Sequence, residues 1–189
     1  MIAHARVSFD DEPLILVDAD DNPVGFETKQ RCHEGRGLLH RAFSVFLFDA
    51  AGRVVLQQRS SQKALWPGVW ANACCSHPRR GESVADAVAR RLREELGVTD
   101  RASYLFKFRY HALFGAVGAE HELCHVYVGR QRSPLRPNAN EIAALKVCEP
   151  AELDRELELH AEAYSPWLAL EWQQMRAGHW PTLEALLQG

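Results

Sequence analysis

The middle of the chain alternates short apolar runs with turn residues, which is the pattern of paired β-strands. The segment "RAFSVFLFD" (41–49) is followed by "AAG" and then by "RVVLQQRS" (53–60). Apolar runs on either side of a glycine turn predict a β-hairpin. Further strand-like segments lie at 14–18, 103–114, 120–131 and 141–150. The stretch "KQRCHEGRGLLH" (29–40) holds two glycines between two histidines and predicts a loop that leads into the hairpin.

Two segments carry the pattern of helices. In "SVADAVARRLREELGV" (83–98) apolar residues recur every four positions, Ser83 is placed as an N-cap, and Gly97 suits the position after the last turn. "YSPWLALEWQQMRAG" (164–178) predicts a C-terminal helix with Pro166 in its first turn. Residues 61–82 are rich in proline and glycine and predict loop with short extended pieces. Strands separated by one or two helices indicate an α+β or α/β sandwich.

Composition narrows the class of protein. With 189 residues we expect one domain that has a substantial core. A formal charge of −3 does not indicate a nucleic-acid or membrane partner. The short apolar run "PLILV" near the N-terminus is flanked by acids, so we predict neither a signal peptide nor a membrane span. Five cysteines without a regular spacing favour reduced thiols and a cytoplasmic location.

The charges on the predicted helix follow a known pattern. Arg91 and Glu95 are four residues apart and so share a face, where they could simply form solvated salt bridges. From Ser76 to Val98, however, the chain resembles the Nudix box, G-x5-E-x7-R-E-U-x-E-E-x-G-U with U aliphatic. The matching residues are Glu82, Arg90, Leu92, Glu94, Glu95, Gly97 and Val98. Ser76 replaces the box glycine and Arg91 a box glutamate. Exchanging a metal-binding carboxylate for a guanidinium favours binding a diphosphate without hydrolysing it.

A pair of acids lies in the strand-like segment "EHELCHVY". Glu120 and Glu122 are two residues apart, so their side chains leave the same face of a strand. Cys124 and Val126 continue that face, which we therefore expect to be buried. Buried carboxylates need a partner, and a metal ion is the commonest one. The alternative is an exposed strand end whose acids contact water.

Three histidines could complete a metal site. A single loop histidine is usually only solvated. Taken together, His33, His40 and His77 with the two carboxylates suit a divalent ion such as Zn²⁺, Mn²⁺ or Fe²⁺ better than Mg²⁺. Basic residues are spread over four segments and look individually like surface charges. Tryptophans in a chain of this size are most often core residues, and we expect this of Trp66 and Trp70.

Taken in order, these segments resemble one family, the type 1 isopentenyl-diphosphate isomerases, which have the Nudix fold. The resemblance runs from about residue 16 to 172 and rests on "LLHRAFSVFLFD", "QQRSSQKALWPGVWANACCSHPRRGES", "ARRLREELGV", "FKFRYHA", "EHELCHVY" and "YSPW". It implies an α/β/α sandwich whose mixed sheet is flanked by helices. The single domain would span 1–189, with a Nudix core at about 38–175 and an N-terminal strand and metal-ligand loop over 14–40.

The resemblance also implies a role for each matching residue. The metal ligands would be His33, His40, His77, Glu120 and Glu122, which would hold Mn²⁺, Zn²⁺ or Mg²⁺. The catalytic residues would be the Cys75 thiol and the Glu122 carboxylate, with Tyr110 hydrogen-bonded beside the latter and Trp167 facing the hydrocarbon end of the substrate. Glu95 would bind a second ion, Mg²⁺, that arrives with the diphosphate. The clamp on the diphosphate would be Lys29, Arg59, Lys63 and Arg91. Cys74 and Ser76 would have no catalytic role.

The implied activity is the interconversion of isopentenyl and dimethylallyl diphosphate in isoprenoid precursor biosynthesis. Adding a proton at one carbon and removing one from another, on opposite faces, requires two acid/base groups across an apolar slot. The intermediate would be a tertiary carbocation, which an indole face can stabilise while water is excluded. The partner is then a small molecule, and we expect a monomer or weak dimer. The alternative hypotheses are a Nudix hydrolase acting on a nucleoside diphosphate derivative, and a non-catalytic metal-binding module.

Overall fold

A computed structural model describes residues 5–188. Within these residues, nine strands form one mixed sheet. They are β1 (Pro13–Val17), β2 (Pro23–Thr28), β3 (His40–Phe48), β4 (Val54–Arg59), β5 (Trp70–Asn72), β6 (Cys74–Ser76), β7 (Ala102–Phe114), β8 (Gly118–Arg130) and β9 (Ile142–Cys148). The α-helices are α1 (Lys29–His33), α2 (Val84–Leu96), α3 (Pro150–Leu159), α4 (Pro166–Gln174) and α5 (Trp180–Gln188). The predicted hairpin is present as β3 and β4.

Strand β3 lies at the centre of the sheet. It runs parallel to β8 and antiparallel to β1, β4 and β6. Its side chains alternate between two cores, because successive residues of a strand point to opposite faces. Val45 and Leu47 pack with Leu92 of α2. On the other face, Phe46 packs with residues of the C-terminal helices, among them Trp172. The predicted sandwich, a mixed sheet between two helical layers, is confirmed.

Helix α2 forms where the sequence predicts it. The Ser83 side chain accepts a hydrogen bond from the Asp86 backbone N–H, and Gly97 ends the helix at φ 68°. The left-handed region suits glycine because it has no Cβ. Arg91 and Glu95 are each 2% exposed. The alternative of a fully solvated salt-bridge face is therefore wrong for this pair.

The structure differs from the sequence predictions in several helices and in the burial of two tryptophans. Residues 29–33 form a short helix where a loop was predicted, because the Thr28 hydroxyl caps the Arg31 backbone N–H. Helices α3 and α5 were not predicted, and a π-helical turn, Met175–His179, joins α4 to α5. Trp66 and Trp70 are only partly buried rather than core residues. Within residues 5–188, the structure has no helix with the length and apolar character needed to cross a membrane.

Candidate active site

A cavity of about 690 Å³ is lined by residues of α1, β6, β7, β8 and other parts of the chain. Most of the side chains predicted for the site line it, although they come from nine different elements or loops. Those lining it are Lys29, His33, Arg59, Lys63, Cys75, His77, Arg91, Tyr110, Glu120, Glu122 and Trp167. The cavity therefore brings together the predicted thiol, carboxylates, tyrosine, tryptophan and basic residues.

Strand register explains how distant residues meet at this site. His40 on β3 is the register partner of Glu122 on β8, and Glu122 is in turn opposite Tyr110 on β7. Residues directly opposite on neighbouring strands place their Cβ atoms about 5 Å apart on the same face. The predicted inward face of β8 is confirmed, since Glu120, Glu122 and Cys124 are all at most 8% exposed.

Three imidazoles and one carboxylate converge at the edge of the cavity. One ligand atom from each of His33, His40, His77 and Glu122 lies within 4.8 Å of every other. His40 Nε2 is 3.2 Å from His77 Nε2, which is 3.1 Å from Glu122 Oε1. Burial, together with the charges of the neighbouring imidazoles, lowers the pKa of His77 well below its ordinary value. This crowding of electron-pair donors favours a cation among them.

The backbone fixes two of these imidazoles in the orientation a metal ligand needs. His33 Nδ1 lies 2.6 Å from the Lys29 carbonyl, and His40 Nδ1 lies 2.7 Å from the Leu38 carbonyl. A carbonyl can only accept, so each Nδ1 carries a hydrogen, and in the neutral form of each imidazole Nε2 presents a lone pair. Glu120 Oε2 is buried, has no hydrogen-bond partner within residues 5–188, and lies 2.9 Å from His33 Nε2. The donor set fits a divalent ion, with Glu120 next to the tight group rather than inside it.

The Glu122 carboxylate is held from two sides. Tyr110 Oη donates to Glu122 Oε2 across 2.7 Å. Burial opposes ionisation of Glu122, but the hydrogen bond and charge of His40 and the bond from Tyr110 outweigh it and lower the pKa of the carboxyl. Burial and the charge of Glu122 raise the pKa of Tyr110 well above its ordinary value, so the phenol keeps its proton. The result is a carboxylate beside a fixed hydrogen-bond donor.

The Cys75 sulfur has three polar neighbours. Its S–H points to Asn72 Oδ1 at 2.8 Å, and Trp167 Nε1 donates to Sγ at 3.2 Å. Ser44 Oγ lies 3.7 Å from the same sulfur. Burial and the nearby Glu171 raise the pKa of the Cys75 thiol far above its ordinary value. In contrast, Cys74 is completely buried in the core against α2, as expected for a packing residue.

Trp167 forms an aromatic wall of the cavity. The side chain is 3% exposed and meets Trp66 edge to face, with ring centroids 5.5 Å apart. The Arg59 guanidinium lies 5.0 Å from the Trp167 ring centroid, and it also donates to the carbonyls of Leu65 and Trp66. An indole that already accommodates a cation over its face has the geometry of a cation–π site.

Three basic residues of the cavity, Lys29, Lys63 and Arg91, are held by partners that the sequence did not indicate. Lys63 is paired with Glu141, which lies 3.7 Å from Arg91. Lys29 contacts the Ser8 hydroxyl. Burial and the charge of Lys63 lower the pKa of Lys29. Positive charge is thus concentrated on the cavity wall, with Glu141 offsetting part of it.

Glu95 has a different environment from the other predicted metal ligands. Its carboxylate is 2.6 Å from the Arg91 guanidinium and 3.5 Å from Cys74 Sγ. Among the described residues that line the cavity, Arg91 is present and Glu95 is not. The structure therefore places Glu95 behind Arg91, one layer from the cavity wall.

Comparison with known proteins places this arrangement in a family. A model of the NUDIX domain matches residues 38–170. The isopentenyl-diphosphate Delta-isomerase 1 of Photorhabdus laumondii is 38% identical over 91% of this chain and 99% of its own. The isopentenyl-diphosphate Delta-isomerase of Nocardia farcinica is 47% identical over 83% of this chain and 90% of its own. The chain belongs to this isomerase family within the NUDIX proteins.

Solved structures agree on the fold. A crystal structure from Deinococcus radiodurans superimposes with a TM-score of 0.71 at 23% identity, over 86% of this chain and 98% of that one. A MutT protein from Methanosarcina mazei gives a TM-score of 0.60 at 14% identity, over 73% of this chain and 93% of that one. At such identities the likeness concerns the fold alone. The isomerase assignment rests on the sequence relatives.

In this member of the isomerase family, three residues of the site escaped prediction from sequence. Asn72 binds the Cys75 thiol, Ser44 approaches it, and Glu141 holds Lys63. For Asn72, the position three residues before Cys75 was a usable signal. Ser44 sits inside an apolar run, and Glu141 is 78 residues from Lys63, so neither had a local pattern that could have revealed it.

Proposed function

We propose that the protein interconverts isopentenyl and dimethylallyl diphosphate, with Cys75 and Glu122 as its acid/base pair. The observation that carries the proposal is that both side chains line one cavity together with Trp167 and Tyr110. Cys75 is on β6 and Glu122 on β8, and β3 lies between these strands. The two groups therefore approach a bound ligand from separate strands, as proton addition and removal at different carbons require.

The reaction adds one proton to the substrate and removes another. One member of the pair delivers a proton to the terminal alkene carbon, and the other removes a proton from the carbon next to the diphosphate-bearing one. The double bond moves by one position, and the two roles exchange in the reverse direction. Tyr110 is placed to steady the Glu122 carboxylate during this step, because its hydroxyl hydrogen is directed at Oε2.

The carbocation intermediate must be stabilised without contact with a nucleophile that would trap it. The ring face of Trp167 offers cation–π attraction, worth about 2 kcal/mol or more in a desolvated site. A bound alkenyl chain would displace water from this part of the cavity, and that exclusion protects the cation from being trapped. Trp66 supports the indole edge to face, so the ring is held in place.

Binding of the diphosphate is assigned to the basic end of the cavity. Lys29, Arg59, Lys63 and Arg91 supply the charge, and fixing this end orients the alkenyl chain toward the acid/base pair. A divalent ion, Mn²⁺, Zn²⁺ or Mg²⁺, would be held by His33, His40, His77 and Glu122, with Glu120 beside them. When bound, it would supply positive charge that keeps Glu122 ionised and oriented. We assign Glu95 to a second ion, Mg²⁺, accompanying the substrate, which requires Arg91 to move aside.

A proton NMR assay of the metal-loaded protein with isopentenyl diphosphate in deuterated buffer tests the proposal. We expect dimethylallyl diphosphate carrying deuterium, with no release of phosphate. Cys75→Ala should abolish turnover, whereas the matched Cys74→Ala should retain it, because Cys74 lies in the core. Phosphate release without the dimethylallyl product would instead identify a hydrolase, and undiminished turnover of Cys75→Ala would contradict the assigned thiol.

A further inference from the structure

One ionisable side chain beside the cavity has no part in the chemistry described so far. Glu171 is completely buried and is the only charged residue of α4. Its Oε1 lies 2.6 Å from Ser44 Oγ and 3.4 Å from Cys124 Sγ. Its Oε2 is buried without a hydrogen-bond partner among the residues the structure describes. An ionised carboxylate would be poorly solvated here, so the site favours the neutral acid.

Helix geometry places Glu171 on the same side of α4 as Trp167, toward the Cys75 sulfur. The two residues are four apart on α4, so they share a face of the helix. Trp167 Nε1 donates to Cys75 Sγ directly. Glu171 reaches the sulfur through Ser44, which is the register partner of Cys75 across β3 and β6 and lies 3.7 Å from Sγ.

The protonation of Glu171 decides where the single hydroxyl hydrogen of Ser44 points. A neutral Glu171 donates to Ser44 Oγ, and the Ser44 hydrogen is then free to donate to the Cys75 sulfur. A Glu171 carboxylate can only accept, so it takes the Ser44 hydrogen for itself. Asn72 cannot replace this donor, because its Oδ1 faces the sulfur while its Nδ2 faces the carbonyls of Val45 and Cys74.

We propose that Glu171 is a positioning residue that directs the Ser44 hydroxyl onto the sulfur of Cys75. The sulfur then has two fixed donors, Ser44 and Trp167, whenever it has given up its proton. The inference rests on the role of Cys75 in the proposed isomerisation. It adds no covalent step, since Glu171 acts by orienting a hydrogen bond.

The arrangement should respond to pH through Glu171. Burial raises the pKa of its carboxyl to about 8, and the nearby negative charge of Glu122 contributes in the same direction. The titratable groups around it are Cys124 and Glu122 from β8 and Cys75 from β6, while α4 contributes no other charge. Above this pH the carboxylate would capture the Ser44 hydrogen and the sulfur would lose one donor.

The test measures kcat and KM for isopentenyl diphosphate between pH 7 and 9 in the metal-loaded wild type, Glu171→Gln, Ser44→Ala and the double variant. Gln donates to Ser44 at every pH in this range. In the wild type we expect kcat to fall about fivefold over the range, since most of the acid ionises. In Glu171→Gln the fall should be less than about twofold. Ser44→Ala should lower kcat about tenfold at pH 7 with little change in KM, and the double variant should lose no more than Ser44→Ala.

Two results would overturn the inference. One is an alkaline fall in Glu171→Gln that coincides with that of the wild type. The other is a double variant whose kcat loss is the product of the single losses, which would mean that Glu171 does not act through Ser44. A wild type that forms no dimethylallyl diphosphate would instead contradict the proposed function. Melting temperatures of all variants establish that each is folded.

Discussion

The indole N–H of Trp167 points at the sulfur of Cys75 from 3.2 Å, across 92 residues of chain. One side chain can thus do two things in the cavity: its ring face lies along the site assigned to the alkenyl chain, and its edge steadies the assigned acid/base thiol. Helix α4 therefore contributes to the wall of the candidate active site and is not only a layer of the sandwich.

Replacing Trp167 by Phe weakens both contributions while an aromatic ring still packs at this position. Phe keeps an aromatic face but removes the N–H donor and part of the π surface, so we expect kcat to fall at least about tenfold with a smaller change in KM. Steady-state kinetics measure the effect. Trp180→Phe is the control, because Trp180 lies on α5 and does not line the cavity. Equal kinetics for the two variants would contradict the role of Trp167.

Tyr110→Phe should impair turnover without unfolding the protein. The variant removes only the hydroxyl that donates to Glu122 over 2.7 Å, and the buried ring remains. Loss of a positioned donor to a charged group corresponds to a decrease in kcat of about 10- to 100-fold. Tyr104→Phe on the same strand is a matched control, because Tyr104 is 47% exposed. A Tyr110→Phe enzyme with wild-type kcat would exclude the hydroxyl from the mechanism.

The histidine cluster predicts a metal requirement. His40→Gln removes a completely buried imidazole whose Nε2 faces His77 and Glu122. We expect the purified variant to lose about one divalent ion per chain and nearly all activity. Metal content by mass spectrometry and the NMR assay provide the two readouts. The exposed His160→Gln should keep both metal and activity, and a His40→Gln protein with full metal content would contradict the site.

Glu171 should also make stability depend on pH. Its pKa is raised to about 8 from an ordinary 4.5, so between these values the folded state keeps a proton that the unfolded state releases. In this window the wild type loses up to about 1.4 kcal/mol of unfolding free energy per pH unit, and Glu171→Gln does not. Denaturant unfolding measures the free energy of unfolding at each pH. The value for Glu171→Gln minus that for the wild type should increase by roughly 3 kcal/mol from pH 5 to pH 8.

The matched comparison is Glu158→Gln, since Glu158 is exposed on α3. That variant should follow the wild type at both pH values. If the stability difference between Glu171→Gln and the wild type is the same at pH 5 and pH 8, the buried carboxyl does not titrate as the structure indicates.

Short-range patterns in the sequence determined a large part of this protein. The inward face of β8, the limits of α2 and the hairpin of β3 and β4 all follow from periodicity and end signals, because each depends on the geometry of one segment. The Nudix-box match and the family resemblance indicated the fold and the activity of the relatives. Helix α1 was missed because a Thr28 cap sets its single turn. Helices α3 and α5 were missed because they bury only Leu153, and Leu183 with Leu187, which is too few positions for a clear apolar repeat.

Tertiary structure alone decided which of these residues meet. The register of β3 against β6 and β8 places Ser44 beside Cys75 and His40 beside Glu122. The packing of helices and loops buries Glu171, whose Oε2 has no hydrogen-bond partner among residues 5–188. It also brings Glu141 to Lys63 and places Glu95 against Arg91. The physical reason is that a contact between residues far apart in the chain depends on how strands pair and helices pack. No local pattern of hydrophobic and polar positions encodes that pairing.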